Sequence, residues 1–134
     1  MSQPVVAAIT ILVTMGFLDA IWLGTMTQRL YRAQMPELLL PAPQWVPAIA
    51  FYLLYAVGVL VLVVLPALER DWTLARVAGT GALLGLVAYG TYDLTNHATI
   101  RGWSPVVTMV DLAWGTTLTA VVATVAIVIA RRFA

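Results

Sequence analysis

Apolar residues run through this chain in four long stretches, at residues 4–27, 46–68, 74–96 and 105–130, with polar clusters between them. Each stretch has at least about the 20 residues that an α-helix needs to cross the hydrocarbon core of a bilayer. Barrel strands are shorter and alternate apolar with polar positions, so they do not fit. A spanning backbone must satisfy its own hydrogen bonds, and the stretches are therefore predicted to be helices. The punctuation agrees. Ser104-Pro105 reads as an N-cap followed by proline in the first turn of the fourth helix. Glu69-Arg70-Asp71-Trp72 forms a short charged hinge, with Asp71 or Thr73 as the cap of the third helix. So short a hinge makes the second and third helices antiparallel neighbours. The expected fold is all-α: an integral membrane four-helix antiparallel bundle, one domain over residues 1–134.

Composition adds exclusions. The chain is 62% hydrophobic and only 10% charged, against about 25% charged residues in an ordinary soluble domain. A net charge of +1 supplies no basic surface for nucleic acid. There is no cysteine and no lysine, so disulfides, thiolate sites and Schiff-base chemistry are out of reach. Ser2 and Ser104 are the only serines and neither has an evident general base. No cofactor is called for. The N-terminus lacks the basic n-region of a signal peptide, and the first stretch is expected to be a retained span. The connection at residues 28–45 holds Pro36, Pro41, Pro43 and the run Leu38-Leu39-Leu40. Part of it is expected to lie along the membrane surface, the alternative being a loop packed on the helix ends.

Charges inside a span are costly and mark function or pairing. Apart from Arg76, which can snorkel, there are three: Asp19, Asp93 and Asp111. Asp19 lies about two turns before the end of the first span, Asp93 about one turn before the end of the third, and Asp111 about two turns after the start of the fourth. In an antiparallel bundle all three fall in one leaflet, beneath the loops that carry Arg29, Arg32 and Arg101. At about 100° per residue, Met15, Asp19, Trp22 and Met26 share a face of the first helix. Gly85, Tyr89, Tyr92, Asp93 and Asn96 share one on the third; Thr108, Asp111, Trp114, Gly115 and Leu118 share one on the fourth. Turned inward, these faces make a polar pocket. Gly81 and Gly85 allow close helix approach. The pattern D-x-x-W occurs at Asp19–Trp22 and again at Asp111–Trp114, and is read as one site fed by two antiparallel helices rather than as an inverted repeat.

Three runs carry a resemblance. They are Leu18-Asp19-Ala20-Ile21-Trp22-Leu23-Gly24; Tyr92-Asp93-Leu94-Thr95-Asn96 continuing to Ala98-Thr99-Ile100-Arg101-Gly102-Trp103; and Val110-Asp111-Leu112-Ala113-Trp114-Gly115. On these the chain resembles the bacterial four-span membrane proteins called domain of unknown function 2177, over nearly its whole length. The resemblance implies a four-helix membrane protein and no particular reaction. Two positions depart from the family pattern: His97, where an apolar residue is usual, and Ser104, inserted between Trp103 and Pro105.

Several readings stay open. The three aspartates are acid–base or proton sites, or else they pair with arginine, tyrosine and indole donors and fix the bundle. Asp93 and His97, four apart, have a metal-ligand spacing, but a lone histidine at a helix end is more often interfacial, and no metal is expected. Arg29, Arg32 and Arg101 clamp an anionic head group or act as counter-ions. Trp45, Trp72 and Trp103 read as interfacial belt residues. The leading expectation is a pocket that binds or modifies a lipid or isoprenoid amphiphile. Asp19, Asp93 and Asp111 would do the chemistry, Asn96, Tyr89 and Tyr92 would orient them, and Trp22 and Trp114 would form the walls. The alternatives are a proton-coupled transporter or channel, which needs a polar path into the other leaflet, and a non-catalytic subunit of a membrane complex, which needs no cavity. Membrane lipids are the expected partners, with a homo-oligomer or larger assembly in view. Arg70, Arg76, Arg131 and Arg132 on the terminal side outnumber the three opposite, which places both termini in the cytoplasm across a bacterial inner membrane.

Overall fold

The computed structural model describes residues 1–134 as helices and short connections, with no strand. Four helices are long and apolar enough to cross a membrane: α1 (Gln3–Gln34), α2 (Trp45–Arg70), α3 (Leu74–Thr99) and α4 (Pro105–Phe133). The chain is an all-α membrane bundle. Large apolar side chains such as Val13, Phe17, Leu54, Leu62, Leu83 and Met109 point outward, where lipid is their natural solvent.

α1 is longer than the sequence pattern predicts. The polar run Thr27-Gln28-Arg29 reads as the end of a span, yet the helix continues through it to Gln34. It does so with a π turn at Thr27–Tyr31, in which the Arg32 N–H reaches back to the Thr27 carbonyl. A second π turn, Leu60–Val64 in α2, precedes Pro66, and the Leu65 N–H bonds to the Leu60 carbonyl. A proline ring crowds the carbonyl four residues earlier and offers no N–H, and widening the turn relieves that crowding.

The caps follow the sequence signals. Thr73 caps α3 by accepting from the Arg76 N–H at 3.2 Å, while Asp71 takes a left-handed conformation that ends α2. Ser104 caps α4 by accepting from the Val107 N–H at 3.3 Å. The Ser104 hydroxyl donates to Gln34 Oε1 at 2.9 Å. Met35 is buried and its sulfur accepts from the Ser104 N–H, so the first connection is pinned to the start of α4. Leu38 and Leu40 remain exposed. At the other end, Arg131 donates to the Ala67 and Trp72 carbonyls and closes the C-terminus of α2.

α3 and α4 form the most extensive helix pair, followed by α1 and α4. Glycine makes the first approach this close. A Cβ built on Gly85 would lie 2.1 Å from the Gly115 carbonyl oxygen, and one on Gly81 would lie 2.9 Å from that of Thr119. The terminal half of the bundle is an apolar core that includes Ala7, Ile11, Val59, Val63, Val77, Val122, Ala126 and Ile127. The half toward the long connection carries the acids.

Candidate functional site

α1 and α4 each contribute an aspartate and, one turn on, a tryptophan. Because the helices are antiparallel, the two tryptophans meet. Trp22 and Trp114 stack with ring centroids 4.2 Å apart and planes within 8°. Their N–H groups then cross over to the opposite helix. Trp114 Nε1 donates to Asp19 Oδ1 at 3.2 Å. Trp22 Nε1 donates to the Tyr31 hydroxyl at 3.0 Å, and that hydroxyl donates to Asp111 Oδ1 in a short hydrogen bond. The π turn places Tyr31 there, beyond the point where a plain apolar span would have stopped.

The acids occupy two tiers. Asp19 forms the lower one. Its second oxygen accepts from the Tyr52 hydroxyl at 2.5 Å, so both oxygens have donors. Just beneath, the Tyr55 hydroxyl shares a 2.6 Å hydrogen bond with Thr119. Asp93 and Asp111 form the upper tier and lie near each other. Asp111 is only 7% exposed and Asp93 is wholly buried. Neither oxygen of Asp93 meets a protein donor. Two neighbouring carboxyl groups need either a proton between them or a cationic donor from elsewhere. No arginine supplies one: the donors that reach the aspartates are Tyr31, Tyr52 and Trp114.

This departs from the sequence reading in several particulars. Asn96, Tyr89 and Tyr92, expected to orient the acids, make no hydrogen bond to them; Tyr31 and Tyr52, which the pattern did not single out, do. Tyr92 is 58% exposed and stands edge-on to Trp103. The Tyr89 ring lies flat over Gly115, where a Cβ would fall 2.2 Å from it. Arg29 and Arg101 face outward, and Arg101 lines a separate 210 Å³ hollow beside Glu37. Arg32 is half-buried, and its Nη2 donates to the Leu40 and Pro41 carbonyls. Its Nε is buried and has no partner. His97 does not turn to Asp93. Its Nδ1 meets the Thr108 hydroxyl at 3.3 Å, which also accepts from Trp103 Nε1.

Two cavities share Asp111 and Tyr92 in their walls. One, of about 330 Å³, is an apolar crevice between α2 and α3 lined by Phe51, Ala88, Tyr89, Tyr92 and Asp111. The other, of about 690 Å³, lies under the long connection. Its walls include Leu23, Tyr31, Arg32, Leu39, Trp45, Tyr92 and Asp111. Asp19 lines neither.

Residues 4–128 match the family described as "Predicted membrane protein (DUF2177)". The chain belongs to that family. The match takes in every DUF2177 residue named in this site, from Asp19 to Trp114, and both cavities. No curated protein and no solved structure matches the chain. The DUF2177 description agrees with the four spanning helices and is silent on chemistry, so function must be argued from the site itself.

Proposed function

We propose that the protein binds a lipid or isoprenoid amphiphile at the junction of the two cavities. The observation that carries this reading is their shared boundary. An apolar crevice is lined by Phe51, Ala88, Tyr89 and Tyr92, and it shares Asp111 with a roomier chamber that Arg32 also lines. Ligand sites are commonly of this size and pair apolar walls with a few convergent polar groups. A tail lies along the crevice and a head group sits in the chamber. Asp111 touches the head group, and Asp93 behind it is the reserve acid or base. Asp19, with both oxygens engaged, positions Trp114 and Tyr52.

The transport alternative is disfavoured by the terminal half of the bundle. Below Tyr55 and Thr119 the centre is filled by fully buried aliphatic side chains, and a single chain offers no polar path through them. We place the protein in a bacterial inner membrane with the cavities opening on the side opposite the termini.

The test is extraction of co-purified amphiphile from detergent-solubilised protein, read by mass spectrometry. Wild type is expected to carry a stoichiometric amphiphile. Ala88→Phe, which fills the crevice, is expected to lose it while melting normally. Asp93→Asn removes a buried carboxyl without a donor, so the variant is expected to melt at or above the wild-type temperature. An empty wild type, or full occupancy in Ala88→Phe, would sink the proposal.

A further inference from the structure

Two polar groups in the upper tier and chamber have no partner within the protein, and they are opposite in kind. Asp93 is wholly buried, lines neither cavity and has no donor on either oxygen, and the neighbouring Asp111 lines the chamber. Across the same chamber, Arg32 has a buried Nε–H with no acceptor, while its Nη2 is already held by the connection. Buried polar groups are nearly always hydrogen-bonded, and an orphan marks an unseen partner. A purely anionic head group would answer Arg32 and face the Asp111 carboxyl, with Asp93 close behind. A purely cationic one would answer the acids and leave Arg32 bare. Trp45 and Tyr92 also line the chamber, and aromatic rings suit a substituted ammonium.

We infer that the chamber receives a zwitterionic head group, an ammonium joined to a phosphate as in aminophospholipids, with the ammonium at Asp111 and the phosphate at Arg32. The inference rests on the amphiphile reading above and specifies its head group. The charge-assisted bonds it forms are the strong kind, and the Arg32 Nε–H is the donor left for the phosphate. The Arg32 contacts to the Leu40 and Pro41 carbonyls also tie the connection over the chamber, so the phosphate-binding residue is the one that holds the roof.

The experiment uses full-length protein in detergent, delipidated, and short-chain lipids with identical tails. Binding is read by tryptophan fluorescence and checked by native mass spectrometry. Four probes are compared: phosphatidylethanolamine, phosphatidylcholine, phosphatidylglycerol and diacylglycerol. The two zwitterions are expected to bind at least about tenfold more tightly than phosphatidylglycerol, and their ranking tells a primary from a quaternary ammonium. Arg32→Gln is expected to weaken both zwitterions. Asp111→Asn is expected to erase their advantage over phosphatidylglycerol while the protein still melts cooperatively. Phosphatidylglycerol or diacylglycerol binding as well as the zwitterions would overturn the head-group assignment and leave the amphiphile reading standing. Failure of all four probes to bind would overturn the head-group assignment, whereas the amphiphile reading falls only if extracted wild-type protein is also empty.

Discussion

The two halves of this bundle solve the problem of living in lipid in opposite ways. The terminal half is dry. Val59, Val63, Val77, Ala126 and Ile127 are wholly buried in one apolar cluster. The connection half holds three carboxyls, all five tyrosines and four of the five tryptophans, and it is hollow. Helices do not associate in membranes by expelling water, since lipid tails are as apolar as leucine; they associate by close packing and by hydrogen bonds. The terminal half relies on the first and the connection half on the second. The rigid half holds the helix spacing fixed, and the other half can then tolerate cavities and an unsatisfied carboxyl. Natural sites of function commonly carry such a local penalty.

The contrast can be broken first at its root. Gly85→Val would place side-chain atoms inside the Gly115 backbone. It is expected to cost about 3 kcal/mol or more, seen as loss of a cooperative melt in detergent, with both halves failing together. Ile127→Ala should act only in the dry half. Its cost is mainly the packing lost around the new void, roughly 2 kcal/mol, and lipid affinity should be unchanged. If affinity falls with it, the halves are not separable. Tyr31→Phe should do the reverse. It removes one donor from Asp111 and the acceptor of Trp22, costing about 1 kcal/mol in melting while clearly weakening ligand binding. An unchanged affinity there would reduce Tyr31 to a strut.

Much of this was legible beforehand, for physical reasons. Apolar length marks spans, a serine before proline marks the start of α4, and Gly81 and Gly85 mark a close helix pair. The two D-x-x-W patterns placed Trp22 and Trp114 together because antiparallel helices bring like motifs to one level. Tyr31 was hidden because the polar residues from Thr27 look like a span end, and a π turn has no sequence period of its own. Tyr52 was hidden for another reason: among aliphatic neighbours a tyrosine counts as apolar, and its hydroxyl finds Asp19 only in three dimensions. Tyr52 and Tyr55 share one helical face, which was the available clue. Of the three arginines expected near the acids, only Arg32 lines the chamber. A counter-ion close in the topology is not close in space when its side chain is free to reach water, as Arg29 and Arg101 do.

The widened turn at Thr27–Tyr31 carries one consequence for how such a chain can change over time. A π turn amounts to a single surplus residue in an otherwise regular helix. The bulge takes up that residue locally, so the helix keeps its phase on either side while the Tyr31 phenol meets Asp111. A one-residue insertion at that spot can therefore equip the chamber with the membrane-spanning frame left as it was.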